Sequence, residues 1–163
     1  MLTCNGVYIP YATIRVGGVN EEIVGQGTNG WTSEINSDNT IGNWQIACIH
    51  PETGDIPIDY KWVECPFGNK TSERFVIPSM DKVRDVVNKL HPLLPHFRWI
   101  GWDFTIDSED EPVLIEMNLL PGHVNTQFTT CTPMFGDKTQ NILDDYYIYR
   151  TLEGNHRQDR LFD

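Results

Sequence analysis

Asp103, Glu116 and Asn118 are the residues whose types and spacing best suit chemistry. They lie in two segments that alternate like strands, Ile100-Gly101-Trp102-Asp103-Phe104-Thr105-Ile106 and Val113-Leu114-Ile115-Glu116-Met117-Asn118. Between them lies the acidic turn Asp107-Ser108-Glu109-Asp110-Glu111. A four-residue hairpin loop from Ser108 to Glu111 would pair Asp107 with Pro112, Thr105 with Leu114, and Asp103 with Glu116. The two carboxylates would then face each other with Cβ atoms ~4.5–5.5 Å apart. Asn118, two residues beyond Glu116, would share their face. Like charges placed directly across a strand pair are destabilising. Such a face therefore suits a bound cation. All three are hard oxygen ligands, which suits magnesium, an ion that leaves its other positions to water and phosphate oxygens. The set lacks His and Cys, which argues against zinc. The same pattern also fits a solvated hairpin with acids on its wet face.

Other reactive residue types lack such a setting. His50 beside Pro51 reads as a surface-loop residue, and His123 follows Gly122 with no second titrating partner visible in sequence. His91, His96 and His156 read as surface or helix-end residues. Cys131 has no paired base at a recognisable spacing and reads as a buried or inert thiol. Trp31, Trp44, Trp62, Trp99 and Trp102 suit the core better than sugar stacking. Gly25, Gly27 and Gly30 lie in a loop-rich stretch without a lysine, so β-turns are expected there rather than a phosphate loop.

The 163 residues suit one domain, and 39% hydrophobic with 21% charged residues suits a globular protein. A net charge of −11 argues against nucleic acid and anionic membrane as partners. No apolar run approaches a membrane span of roughly 18 residues. The N-terminus has neither a basic nor an apolar signal region, and the four cysteines form no CxxC pair. The expectation is reduced thiols in the cytoplasm.

Several elements must position the acids. Thr13 to Val16 ends a strand, Trp44 to Ile49 forms another, and Ile56 begins a third. Glu64 to Glu73 reads as irregular. A helix starts after Ser79, with Met80, Val83, Val86, Val87 and Leu90 at helical spacing. Pro92 and Pro95 end it, and Trp99 opens the first hairpin strand. A polar stretch follows Pro121-Gly122, and a last helix begins near Thr139. Strong hairpin signals with few helices imply an α+β fold with a mostly antiparallel sheet.

With the hairpin placed, the chain resembles the C-terminal half of an ATP-grasp domain, in its sugar-transfer-associated branch. Asp103, Glu116-Met117-Asn118 and Pro121-Gly122 carry the resemblance. So do Thr13-Ile14-Arg15-Val16, Ile41-Gly42-Asn43-Trp44, Pro51-Glu52-Thr53-Gly54, Ile77-Pro78 and Pro133-Met134-Phe135-Gly136, all in one order. The resemblance implies ATP with Mg2+ or Mn2+ as cofactors. It implies Asp103, Glu116 and Asn118 as metal ligands and Arg15 as a catalytic phosphate-binding residue. Ile115 would touch adenine, although simple alternation puts it on the opposite face from Glu116. Gly122 would bind substrate through its backbone N–H.

The implied reaction activates a carboxylate as an acyl phosphate, which an amine or thiol then displaces. The branch suggests cell-envelope or polysaccharide metabolism. The partners would be small carboxylate and amine substrates. No lysine precedes Lys61, so the lysine-bearing lid typical of the family has no counterpart here. Residues 1–152 are therefore expected to be a partial ATP-grasp domain without its lid, with a charged tail at 153–163. A partner chain could supply the lid. The alternative is a truncated or degenerate module that binds metal or a partner without turnover.

Overall fold

Short alternating segments make the chain a set of antiparallel strands with helices packed beside them, an α+β fold. The computed structural model describes residues 1–3, 5–17, 30–49, 57–66, 75–119 and 124–147. The ribbon β1 (Leu2–Thr3) and β2 (Gly6–Val7) opens the chain. A four-stranded meander comes next, β3 (Ala12–Val16), β4 (Trp31–Ile35), β5 (Ile41–Ile49) and β6 (Pro57–Val63), hydrogen-bonded in that order. A strand succeeds Gly30 directly, so no helix N-terminus is available there for a phosphate loop.

The register sorts the meander into two faces. Ile14 opposes Ser33 and Ser33 opposes Trp44, so these share one side with Ile35. That side is the core: Ile35, Ile77 and Met80 are buried, with Ala12, Ile14, Ile41, Val83 and Ile106 packed against them. Arg15 opposes Thr32 and Thr13 opposes Glu34, so these four share the other face. Between β4 and β5 the register slips. Ser33 faces Trp44 and Ile35 faces Ile41, which leaves Glu34 against both Gly42 and Asn43. The buried Ser33 hydroxyl closes this bulge by donating to the Asn43 carbonyl at 3.0 Å.

Helix α1 (Met80–Leu90) buries Met80 and Val87, as its apolar spacing predicts. Its start is where expected, but Ser79 does not cap it with its side chain. Ser79 is left-handed (φ 59°), and its hydroxyl donates instead to the Asp110 carbonyl in the hairpin turn. Lys82 reaches the same turn through the Asp110 carbonyl and Glu111. Arg84 and Asp81 hold Asn39 in the β4–β5 turn. The helix thus ties both hairpins together. A 3-10 turn, His91–Leu93, ends it.

Two strands, β7 (Gly101–Ile106) and β8 (Pro112–Asn118), form the second hairpin. The polar stretch after Pro121-Gly122 contains α2 (Val124–Thr130), which lies against β3 and β4. Its Thr-rich sequence has weak helix propensity, which is why periodicity missed it. The last helix covers residues 139–147 and buries Ile142. Trp44 is buried, but Trp62 is exposed, contrary to a core role. Cys131 is exposed rather than buried. No described helix is long and apolar enough to cross a membrane. Ile56, His156 and the 153–163 tail lie outside the described residues.

His91 corrects the expectation of a surface residue. It stands at the helix end, as expected, but is fully buried. Its Nε2 bonds the Phe97 carbonyl at 2.9 Å, and its ring meets Trp102 edge-on at 5.9 Å. Burial lowers its pKa below 6.5. The unfolded chain therefore binds the proton first as pH falls, and stability is lost from about pH 6.5 downward to the folded pKa. Denaturant melts should show His91→Phe less stable than the parent at about pH 7.5. The variant should also lack part of the parent's slope below pH 6.5, which approaches about 1.4 kcal/mol per pH unit for one proton. An unchanged slope would remove His91 as its source.

Candidate metal and nucleotide site

The β7–β8 hairpin brings the two acids together. Asp103 opposes Glu116, and Gly101 opposes Asn118, so Glu116 and Asn118 share a face with Asp103. The neighbouring pair, Trp102 and Met117, points to the other side, where Trp102 meets buried His91. The acids therefore sit on the wet face of a ribbon whose dry face is anchored.

The rest of the register differs from the simple hairpin. Phe104 opposes Leu114, Thr105 opposes Val113, and Ile106 opposes Pro112. Thr105 does not pair with Leu114, nor Asp107 with Pro112, because the loop is one residue longer than expected. Asp107 shapes that loop: its Oδ1 accepts from the Glu109 and Glu111 N–H groups, both at 2.9 Å. Asp110 adopts the left-handed conformation, φ 59°. The longer loop is offset by a bulge between Asp103 and Phe104. Ile115 is the extra residue, without a cross-strand partner in the register, and it is 63% exposed. Strict alternation breaks at this point, so Ile115 is not confined to the face opposite Glu116.

The side chains converge. The Asn118 amide donates from one Nδ2 to Asp103 Oδ2 at 3.2 Å and to Glu116 Oε1 at 3.0 Å. The Asp103 and Glu116 carboxyls lie close enough to hydrogen-bond when one of them carries a proton. Desolvation is the largest cause raising the Asp103 pKa, and that hydrogen bond is the second. The Glu116 charge adds to both, and the Arg15 charge opposes them. Arg15 is exposed on β3, and its positive charge is felt at Asp103, where it favours the carboxylate.

Among the described residues, no group of three or more His, Cys, Asp and Glu side chains forms a metal cage. The acids and Asn118 thus offer a partial set of hard oxygens. For Asn118 to present Oδ1 to a cation, its amide must turn over from the donor orientation it holds here. Gly122, with Pro121 and His123, lies outside the described residues, as does His50. The bulges at Ile115 and at Gly42-Asn43 were not read from sequence. Only the odd residue count between paired positions signals them.

A family model described as sugar-transfer associated ATP-grasp matches residues 42–142. That span holds all of β5 but Ile41, then β6 to β8, α1, α2 and both acids, while Arg15 and Glu34 precede it. No curated protein and no solved structure matches the chain. The match covers more than half of the sequence and includes the hairpin that carries the paired acids, and the chain belongs to the sugar-transfer associated ATP-grasp family.

Proposed function

We propose that this chain binds Mg2+ and ATP and forms the metal-binding half of an ATP-dependent carboxylate ligase. The observation that supports it best is the convergence of Asp103, Glu116 and Asn118 on one wet face, with the Arg15 charge in reach. The donor set fits the ion: two carboxylates and an amide oxygen are hard ligands, and too few to exclude water and phosphate oxygens. When bound, the ion supplies charge neutralisation and orientation at the phosphates. The chain's own residues do the rest. Asp103 and Glu116 offer their carboxylate oxygens to the ion. Arg15 offers a planar fork to phosphate or to the acyl phosphate. Ile115, released from alternation by the bulge, is the candidate contact for adenine. Gly122 is the candidate backbone donor to the substrate. The acceptor is an amine or thiol, the setting is the cytoplasm, and a partner chain can supply a lid.

A second reading, a binding module without turnover, is favoured by one observation. Residues 1–60 hold no lysine, so β3 to β5 bring none to the phosphates. Phosphoryl transfer rests on positioning and charge neutralisation, so each cation beside the phosphates matters. ADP release from the chain with Mg2+ and ATP separates the two readings. We expect nucleotide binding but little release. Robust release that disappears in Glu116→Gln would establish turnover at this site.

Manganese relaxation or calorimetry tests the metal set. Glu116→Gln should weaken binding at least tenfold; equal binding would refute the site. Affinity should also fall as pH drops through the raised Asp103 pKa, because proton and cation compete for the same oxygens.

Asp103→Asn tests the repulsion in the metal-free chain. A raised folded pKa means that the stability contributed by the protonated acid is lost as pH rises through that pKa. The variant should therefore melt higher at pH 7, by up to about 1 kcal/mol in stability. The gain should vanish below about pH 4, where the carboxylates take up protons in any case. Added Mn2+ should stabilise only the parent. A lower melting temperature at pH 7 would show that charged Asp103 is needed by the hairpin itself.

A further inference from the structure

The face of the meander that carries Arg15 also carries a carboxylate unused by the proposed site. Glu34 opposes Thr13, and Arg15 opposes Thr32, so Glu34 is the diagonal neighbour of Arg15 on one face. Diagonal neighbours lie ~7–8 Å apart, within reach of one small ligand. Ile14 and Ile106 pack on the same core, so the Arg15 face and the acid face of the hairpin both turn away from it, and the Arg15 charge is felt at Asp103.

Glu34 is half-buried, and burial raises its pKa. Among the described residues, no hydrogen bond or ion pair reaches its carboxylate. A partly desolvated carboxylate without a partner is costly. The surrounding backbone is arranged around it nonetheless. The β5 bulge sets Gly42 and Asn43 against Glu34, and Ser33 pins that bulge at 3.0 Å. A Cβ on Gly42 would meet the Glu34 Cβ at 3.6 Å, so the glycine leaves this flank of Glu34 uncovered. Helix α2 lies against β3 and β4, and its Thr126 hydrogen-bonds Tyr11, the residue before β3.

We infer that Glu34 recognises the cationic amine acceptor, holding its ammonium group beside Arg15. This rests on the ligase reading of the Asp103 site. Arg15 suits the anionic reactant and Glu34 the cationic one, so the diagonal pair sorts the two substrates by charge. A metal at Glu34 is disfavoured, because no second or third acid or imidazole joins it among the described residues. In the reaction, Glu34 takes one proton from the ammonium, R–NH3+, and frees the nitrogen lone pair. That pair forms the N–C bond at the acyl carbon. The bond from acyl carbon to phosphate oxygen breaks, and phosphate leaves with its electrons. The nitrogen loses its second proton to the phosphate, giving the amide and hydrogen phosphate. Glu34 then returns its proton to water.

Backbone amide shifts of the full chain, monitored by NMR, test the assignment. The probes are methylammonium, ethanolamine and glucosamine, with ethylene glycol and glucose as neutral controls at equal ionic strength. The amines should saturate shifts at residues 13–15, 32–34 and 42–43, and the controls should not. Glu34→Gln should weaken amine binding at least tenfold while leaving Mn2+ affinity unchanged. Glu116→Gln should do the reverse. If Glu34→Gln does not fold, Glu34→Asp, which retracts the carboxylate by one methylene, should weaken amine binding in the same direction. Amine binding that survives both changes, that neutral controls match, or that Glu116→Gln abolishes, would overturn the inference. Loss of Mn2+ binding in the parent would instead overturn the ligase reading, and the amine shifts would still report on Glu34.

Discussion

Two carboxylates held face to face across a strand pair are the constraint on which the rest of this structure depends. Asp103 and Glu116 are opposed by register, and the backbone cannot separate them without a slip that would turn the ribbon over. The chain manages the repulsion in three ways. The raised Asp103 pKa eases the uptake of a proton, the Asn118 amide donates to both acids, and the Arg15 charge is felt at Asp103. Each of these is reversible. The proton can leave, the amide can turn, and an exposed guanidinium can move to a phosphate. The cation site proposed for this pair would need such replaceable neutralisation. A permanent buried salt bridge would hold the acids charged but closed.

A two-stranded ribbon is marginal alone, so it must draw rigidity from its neighbours. The dry face of β7 supplies it. Ile106 packs on the Ile35, Ile77 and Met80 core, and Trp102 packs on buried His91. The turn is fixed as well, because Ser79 and Lys82 at the start of α1 hold Asp110 and Glu111. The cost falls on Ser79, which takes a left-handed backbone and leaves the helix start uncapped by its side chain. The anchoring bonds lie at the far end of the hairpin from Gly101 and Asn118. These anchors fix the backbone beneath the acids, while the Asn118 amide holds their side chains at Asp103 Oδ2 and Glu116 Oε1.

The acid pair was legible in sequence because strand period and opposition are short-range rules. Asp103 and Glu116 pair as the alternation requires, and α1 begins and ends where its apolar spacing and prolines place it. What was not legible came from compensation. A loop one residue too long and a strand one residue too long cancel between Asp107 and Glu116, so the key pair survives while Thr105 and Phe104 shift partners. The four-residue hairpin rule could not see the Asp107 side chain capping two backbone N–H groups. His91 and α2 were missed for another reason. Tertiary burial makes a polar residue structural and a Thr-rich segment helical, and neither leaves a periodic trace.

The bulges at Ile115 and at Gly42-Asn43 have a common logic. One frees Ile115 from alternation beside Glu116, and the other sets Gly42 and Asn43 against Glu34. A regular strand can offer a ligand only every second side chain on a given face. Inserting one residue breaks that limit locally and re-aims the side chains beyond it. Both insertions occur beside a carboxylate on a face that adjoins Arg15 or lies within reach of its charge. A third register shift, between Cys48 and Ile49, lies apart from them at the end of β5 and touches no proposed site residue. The core-facing pairs Ile14–Ser33 and Ser33–Trp44 stay in regular opposition. Packing tolerates little slip on the dry side, so the two bulges beside the acids fall where charged reactants would meet, on the wet side.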